Sequence, residues 1–194
     1  MQGIVLCGGQ SMRMGKDKAL LNTAGVTWAQ NAADKLLEIP LTVSFSVNEH
    51  QNTFFKTLFS DAVIIKDDNN LQLHGPLLGI LSVHLQYPTE DIFVLACDMQ
   101  LMESATLIEL HHLYQTKSGA DAYIFTNENE PEPLCGIYCV KGLSSILQMF
   151  TQNNLPKYSM KFILTQLDVC YVPIADKQKG YFSNFNSPAD LNGG

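Results

Sequence analysis

Charged residues are scarce in this chain, and basic residues are the scarcer kind. Only 16% of the 194 residues are charged, and 12 Lys and Arg face 19 Asp and Glu, for a net charge of −7. An average globular protein has about 25% charged residues. A nucleic-acid-binding surface needs a basic face, so this balance argues against nucleic acid as a partner. It does not argue against a nucleotide, because a few local cations are enough to bind phosphates.

Cysteine spacings typical of a metal site are absent too. The five cysteines lie at positions 7, 97, 135, 139 and 170, and no Cys-x-x-Cys step occurs. A structural zinc site needs closely spaced Cys or His ligands, which this pattern does not provide. We therefore expect buried, reduced thiols in a cytoplasmic protein.

Long apolar runs are also missing. A membrane-spanning helix needs about 20 consecutive apolar residues, and no stretch of the chain reaches that length. No signal peptide is expected ahead of the first apolar run, and no membrane partner is expected. Hydrophobic residues still make up 46% of the chain, which suits one domain with a sizeable core over residues 1–194.

What the chain does contain is an alternation of strand and helix patterns. Short apolar runs predict strands, and apolar residues three or four apart predict helices, with Thr27 and Ser104 as N-caps. The predicted strands cover residues 4–6, 41–47, 63–65, 91–96, 120–126 and 169–172. The predicted helices cover 27–37, 52–59, 76–86, 104–116, 142–153 and 158–167, and a polar turn is predicted over 127–133. This alternation predicts an α/β fold with a mostly parallel central sheet.

The first predicted strand leads into a glycine-rich loop with three cations. Gly8 and Gly9 follow the strand, and Arg13, Lys16 and Lys18 come soon after them. Free backbone N–H groups in a glycine turn, together with cations, can bind a polyphosphate. The glycines are too far apart for a Walker A loop, and the adjacent pair does not fit the dinucleotide fingerprint. The loop is therefore a phosphate-binding candidate that belongs to neither of these two standard motifs.

Polar residues follow the other predicted strands. Asn48 comes directly after the second strand, Asp67 comes two positions after the third, and Asp98 follows the most strand-like run of the chain. Ligand sites of parallel sheets lie at the carboxyl ends of the strands, so Gly8, Asn48 and Asp67 can converge there. A carboxylate at the end of a buried strand is costly unless its charge is compensated. Because Mg²⁺ binds through carboxylates, phosphates and waters, Asp98 is the predicted magnesium ligand.

These motifs resemble those of a known family. The loop is similar to Leu-x-Gly-Gly-x-Ser-x-Arg-Met-Gly-x-x-Lys, the signature of the sugar-nucleotidyltransferase-like superfamily, and it matches at Leu6, Gly8, Gly9, Ser11, Arg13, Met14, Gly15 and Lys18. The Asp-Lys-Ala-Leu ending of the loop resembles the molybdenum cofactor guanylyltransferases. Later segments resemble the same branch: Gly75-Pro76-Leu77, Cys97-Asp98-Met99, Glu132-Pro133-Leu134 and the asparagine-rich stretch 182–191. Gln100 stands where that family has proline.

The resemblance implies a Rossmann-like three-layer sandwich and a specific reaction. A guanylyltransferase of this kind transfers GMP from GTP to the phosphate of Mo-molybdopterin and releases diphosphate. Arg13, Lys18 and Asp98 would then be the catalytic residues, with Asp98 holding Mg²⁺. The expected partners are GTP, molybdopterin and the maturation proteins of molybdenum enzymes.

The resemblance also implies binding roles for further residues. The nucleotide would be bound by Leu6, Cys7, Gly8, Gly9, Lys18, Ser46, Asn48, Asp67 and Asp98. The acceptor side of the cleft would include Gly75, Pro76, Asn184 and Asn186. Two choices stay open at this point, namely Ser46 or Asn48, and Asp67 or Asp68, as the nucleotide contact.

Two other functions compete with this interpretation. The first is a cytidylyltransferase acting on molybdopterin or another small phosphorylated acceptor, because the same loop serves both nucleotides. The second is a non-catalytic GTP-binding adaptor for the maturation of molybdenum enzymes. Lys18 and Asp98 argue against the adaptor, since binding alone would not need both a phosphate cation and a metal carboxylate.

Overall fold

Strands and helices alternate along the chain, and the computed structural model describes residues 1–8 and 17–185. The described strands are β1 (Gln2–Leu6), β2 (Asn22–Thr23), β3 (Val26–Thr27), β4 (Thr42–Val47), β5 (Val63–Lys66), β6 (Ile92–Ala96), β7 (Ala122–Asn127), β8 (Glu130–Tyr138) and β9 (Val169–Pro173). The described α-helices are α1 (Trp28–Leu37), α2 (Glu49–Leu58), α3 (Pro76–Gln86), α4 (Ser104–Thr116), α5 (Val140–Thr151) and α6 (Met160–Leu164). Short 3-10 helices cover Lys18–Leu20, Asn69–Leu71 and Asp176–Phe182.

A seven-stranded sheet runs through the molecule in the order β5-β4-β1-β6-β8-β7-β9. Strands β1, β4, β5 and β6 pair in parallel, as do β7 and β9. Among the described strands of this sheet, β8 is the one that runs antiparallel to its neighbours. The predicted α/β fold with a mostly parallel central sheet is confirmed.

Two apolar clusters cover the two faces of the sheet. Val5 of β1 belongs to the cluster that includes residues of α1, α2 and α4, whereas Ile4 and Leu6 belong to the cluster that includes residues of α3, α5 and α6. In β6, Phe93 and Leu95 belong to the first of these clusters and Ile92 and Val94 to the second, and all of β6 is buried. A strand covered on both faces has a continuous apolar sequence, as β6 does. The layers are therefore helix, sheet and helix, as the three-layer prediction requires.

Most predicted elements are confirmed, some to the residue. Helix α3 spans Pro76–Gln86 as predicted, with the proline in its first turn, where its missing N–H costs nothing. Thr27 caps α1 as predicted, and its side-chain oxygen accepts a hydrogen bond from the backbone N–H of Gln30. Helix α2 begins earlier than predicted, because Asn48 supplies an N-cap that hydrophobic periodicity does not show.

The predicted polar turn over 127–133 is wrong in its extent. Glu128 and Asn129 have φ of 50° and 72°, and β8 begins directly after them at Glu130. Two consecutive left-handed residues form a tight hairpin turn, which needs no further loop residues. The acidic stretch that follows is therefore strand, although its first residue is exposed.

Several local boundaries also differ from prediction. Ser104 is the first residue of α4 and not its N-cap, since Glu103 holds the cap position without a side-chain hydrogen bond. Helix α6 is shorter than predicted, because Ser159 caps it and the helix ends at Leu164. The β2–β3 hairpin was not predicted, since strands of two residues are too short to show an apolar period.

The five cysteines are all free, and Cys7, Cys97 and Cys135 are buried, while the other two are partly exposed. The expected reduced thiols are confirmed, and the expected burial holds for these three. Of the helices that the described ranges contain, none is long and apolar enough to cross a membrane.

Candidate active site

The parallel strands β1, β4 and β5 end side by side and bring the predicted polar residues together. The Cys7 N–H donates to the Ser46 carbonyl at 2.9 Å, which extends the β1–β4 pairing past the last strand residue. A Cβ built on Gly8 would lie 3.7 Å from Asp67 Oδ2 and 3.8 Å from the Asn48 nitrogen. The backbone at Gly8 therefore faces the Asp67 carboxylate and the Asn48 backbone nitrogen, and a ligand can approach it closely.

A cleft of about 650 Å³ opens beside these strand ends. This volume lies within the usual range for small-molecule sites, about 300–1,000 Å³. The cleft is lined by residues assigned to substrate binding from the sequence, namely Leu6, Gly8, Ser46, Asn48, Asp67, Gly75 and Pro76. His50, His74 and Gly79 also line it and were not predicted to do so.

Gly79 allows α3 to form one wall of the cleft. A Cβ at this position would lie 2.6 Å from Ser46 Oγ, closer than real Cβ contacts allow, and 3.2 Å from Leu6 Cδ2, which is a tight contact. Only a residue without a side chain lets α3 approach the ends of β1 and β4 this closely. Gly79 lies two residues after the Gly75-Pro76-Leu77 segment, so a glycine inside the predicted helix was the sequence signal for this close approach.

Ser46 and Asn48 both face the cleft, but their polar atoms are used differently. Ser46 is 1% exposed and lines the cleft. The Asn48 Oδ1 accepts the backbone N–H of Gln51 at 3.0 Å, so this oxygen caps α2. Asn48 still has its side-chain NH₂ group to offer a ligand. The two residues therefore lie in one site and offer different groups, so the choice between them is not exclusive.

Asp67 and Asp68 separate clearly in the structure. Asp67 is half-buried in the cleft, and this burial raises its pKa to about 6. Asp68 Oδ1 accepts the backbone N–H of Asn70 at 2.9 Å and caps the short helix Asn69–Leu71. Because the Asp68 carboxylate is used in its own loop, Asp67 is the better placed of the two for a ligand in the cleft.

Lys18 and Asp98 form an ion pair that the sequence did not predict. Lys18 Nζ donates to Asp98 Oδ2 at 3.0 Å, and the two side chains are 18% and 22% exposed. An ammonium group has three N–H donors, so this pair leaves Lys18 able to bind phosphate oxygens as well. The structure thus joins the predicted phosphate cation to the predicted metal carboxylate.

Gln51 ties the start of Lys18's segment to the end of β1. Its side-chain NH₂ group donates to the Cys7 carbonyl at 2.9 Å and also to the Asp17 carboxylate. Asp17 in turn accepts the Ala19 N–H at 3.0 Å and caps the helix that begins with Lys18. Gln51 and Asp17 were not predicted to support the site, and no spacing pattern marks them.

Asp98 could hold a divalent metal only together with other ligands. The part of the chain that the structure describes has no group of three or more His, Cys, Asp or Glu placed to bind a metal ion. Mg²⁺ is usually bound through one or two carboxylates, with phosphates and waters completing its shell. A lone carboxylate at the end of β6 fits a metal that arrives with the nucleotide.

The remaining predicted residues lie in different parts of the chain. Gly9, Arg13 and Asn186 lie outside the described residues. Asn184 is exposed, and the next residue, Phe185, donates its N–H to the Asp98 carbonyl at 3.2 Å, so this segment returns to the Asp98 turn. The Cys7 side chain is buried in the core, and burial raises its pKa well above the usual range.

A mostly parallel sheet with Gly8, Lys18, Asp67 and Asp98 at its carboxyl edge fits one class of protein, the α/β nucleotidyltransferases. The sequence profile of the MobA-like NTP transferase domain matches residues 3–169. The chain therefore belongs to this family.

Similar proteins agree with this assignment. A probable molybdenum cofactor guanylyltransferase from Geobacillus sp. strain WCH70 is 31% identical and covers 98% of this chain and 96% of its own length. One from Bacillus velezensis is 29% identical, with 96% and 90% covered. The crystal structure of molybdopterin-guanine dinucleotide biosynthesis protein A from Archaeoglobus fulgidus matches with a TM-score of 0.79 at 24% identity, covering 99% of this chain and 95% of that one. At 24% identity, this match shows that the two proteins share a fold.

Proposed function

We propose that this protein transfers GMP from GTP to the phosphate of Mo-molybdopterin, forming the guanine dinucleotide cofactor and diphosphate. The observation that carries the proposal is the Lys18–Asp98 ion pair at the end of β6, on the same sheet edge as a nucleoside-sized cleft. Family membership and two relatives called molybdenum cofactor guanylyltransferases support it. The expected location is the cytoplasm, and the whole chain, residues 1–194, acts as one domain.

Guanine fits the polar groups of the cleft better than cytosine does. The Watson–Crick edge of guanine offers two neighbouring donors, N1–H and N2–H₂, which one carboxylate can accept together. Cytosine offers one donor group and two acceptors on that edge. A half-buried carboxylate at Asp67 therefore favours GTP over CTP, and Ser46 and Asn48 supply hydrogen-bonding groups nearby.

The charges at Lys18 and Asp98 suit the transfer of a nucleotidyl group. The reaction needs the acceptor phosphate held in line with the α-phosphorus and the growing charge of diphosphate neutralised. Lys18 supplies one cation, and Arg13 is proposed as a second. Asp98 would hold Mg²⁺, which would supply Lewis-acid stabilisation of the negative charge on the phosphates. Backbone N–H groups at the end of β1 would contact the phosphates.

The acceptor is proposed to lie beside the Asp98 turn. Asn184 is exposed two residues past the C-terminal 3-10 helix, close to Phe185, which hydrogen-bonds that turn. Its amide, with that of Asn186, would bind the acceptor, and Gly75 and Pro76, which line the cleft beside Asp67, would contact the acceptor from there. Maturation proteins of molybdenum enzymes are proposed to receive the product.

Diphosphate release tests the proposal. The protein is incubated with Mg²⁺, molybdopterin carrying molybdenum, and each NTP in turn, and diphosphate is measured. We expect release with GTP, and little with ATP or CTP. Release with CTP in place of GTP would make the protein a cytidylyltransferase, and GTP binding without any release would favour the adaptor.

A further inference from the structure

Gln100 is a buried polar residue that joins the Asp98 turn to helix α1. It lies two residues after Asp98 and is 8% exposed. Its side-chain NH₂ group donates to the Cys97 carbonyl at 2.6 Å and to the Trp28 carbonyl at 3.3 Å. The first bond closes the turn that carries Asp98, and the second fixes this turn to the start of α1.

Helix α1 returns two further hydrogen bonds to the same residue. Asn31 donates its side-chain N–H to Gln100 Oε1 at 2.8 Å, and Lys35 Nζ donates to the Gln100 carbonyl at 2.6 Å. Every polar group of the Gln100 side chain is therefore used, as a buried polar side chain requires. A fully satisfied network of this kind is rigid and holds its members in one arrangement.

The network also reaches the segment that carries Lys18. Trp28 donates its backbone N–H to the Leu21 carbonyl at 2.8 Å, and Leu21 donates to the Lys18 carbonyl at 3.1 Å. A short path of hydrogen bonds thus runs from the Asp98 turn through Gln100 and Trp28 to Lys18. The ion pair between Lys18 Nζ and Asp98 closes this path into a ring.

We propose that Gln100 is a positioning residue that holds the Asp98 carboxylate opposite Lys18, ready to bind the metal that accompanies the nucleotide. The inference rests on the proposed function and extends it to a residue outside the cleft. Proline restrains a turn through its ring, whereas Gln100 restrains this turn through hydrogen bonds to α1. Residues that orient a metal ligand typically change metal affinity by about 10- to 100-fold when they are replaced.

The test is the affinity of the protein–GTP complex for Mn²⁺, a paramagnetic substitute for Mg²⁺, measured by electron paramagnetic resonance. Gln100→Met keeps the length of the side chain but removes its hydrogen bonds, and we expect it to weaken Mn²⁺ binding about 10-fold or more. Asp98→Asn in the same measurement shows whether the ion is bound at this carboxylate. This readout does not need catalytic turnover.

Gln178→Met is the matched control. Gln178 is 7% exposed, and its side chain bonds Thr106 at 3.3 Å, Glu109 at 2.9 Å and the Ala175 N–H at 3.2 Å. It therefore loses a similar set of buried hydrogen bonds without touching the Asp98 turn. We expect a similar loss of stability in denaturant and unchanged Mn²⁺ affinity.

Three results would overturn the positioning role. They are wild-type Mn²⁺ affinity in Gln100→Met, an equal loss of affinity in Gln178→Met, or no loss in Asp98→Asn. A wild-type protein that releases no diphosphate would contradict the proposed function alone, because the Mn²⁺ affinities of the variants would still be measured.

Discussion

At the scale of single residues, Lys18 and Asp98 depend on each other. They form an ion pair at 3.0 Å, and both side chains are mostly buried. Removing one charge leaves the other poorly compensated in a place where water screens little. Substitutions at either position therefore change the electrostatics of the whole site as well as one contact.

Lys18→Ala should lower turnover more than it weakens GTP binding. The ammonium stabilises charge that grows as diphosphate leaves, so we expect turnover to fall about 10²-fold. Diphosphate release gives the turnover, and calorimetry gives the GTP affinity. Lys141→Ala is the control, because it breaks a Lys–Asp pair, Lys141 with Asp121, at the opposite edge of the sheet. Equal losses in both quantities for Lys18→Ala would make Lys18 a simple binding residue.

Asp98→Asn should abolish activity while leaving the fold intact. The exchange preserves shape but removes the proposed metal ligand, so diphosphate release should nearly vanish. Metal-free GTP binding should stay the same or tighten, because a negative charge near the phosphates is lost. Circular dichroism checks the fold. Near-normal Mg²⁺-dependent release would refute the role of Asp98.

Asp67→Asn should stabilise the protein at neutral pH. Burial raises the pKa of Asp67 from 3.8 to about 6, so its ionised form disfavours the folded state above pH 6. The variant lacks this penalty and should be more stable than wild type at pH 7.5. The difference should shrink as pH falls through about 6 and vanish below about 4, where the wild-type carboxyl is protonated in both states.

Urea unfolding of wild type and Asp67→Asn at several pH values measures this difference. Asp68→Asn is the neighbouring control, since the Asp68 carboxylate caps its own short helix and should gain no stability on substitution. A gain for Asp67→Asn that is the same at pH 4 and pH 7.5 would contradict the burial argument.

At the scale of elements, α3 forms its wall of the cleft only because position 79 is glycine. Gly79→Ala would place a methyl group 2.6 Å from Ser46 Oγ, so either the helix or the Ser46 side chain has to shift. We expect a loss of about 1–3 kcal/mol in the free energy of unfolding and weaker GTP binding. Chemical denaturation and calorimetry measure the two effects.

Gly180→Ala is the control for this substitution. A Cβ at Gly180 would meet no atom within 4 Å, so its effect on unfolding should stay within about 0.5 kcal/mol. Wild-type values of both the free energy of unfolding and the GTP affinity in Gly79→Ala would contradict the close packing of α3 at this position.

At the scale of the whole molecule, binding at the sheet edge is coupled to global stability. A ligand that binds only the folded state, at 100 times its dissociation constant, stabilises it by about 2.7 kcal/mol. For a chain of this size that corresponds to a rise in Tm of roughly 5 to 10 °C. We expect this rise with GTP and Mg²⁺, and a smaller one with CTP at the same concentrations. Scanning calorimetry gives both values, and a larger rise with CTP would support the cytidylyl alternative.

The sequence by itself determined the elements and the edge of the sheet where the site lies. Caps and apolar periods are local properties, so Thr27 and Pro76 marked helix starts correctly. The parallel order of the sheet then placed Gly8 and Asp67 at one edge, because a parallel sheet collects its strand ends there. Features without a local period were missed or misjudged: the β2–β3 hairpin was not predicted, and the turn at Glu128 was predicted too long.

Only the tertiary structure decided how the polar groups pair. Lys18 and Asp98 are 80 positions apart in sequence, and their ion pair exists because β1 and β6 are neighbours in the sheet. Gln100 differed from the family pattern in sequence, and its role as a link to α1 needed the packed helix. The raised pKa of Asp67 depends on burial beside α3, which no local pattern encodes. Contacts between distant segments follow from packing, and packing is a property of the whole chain.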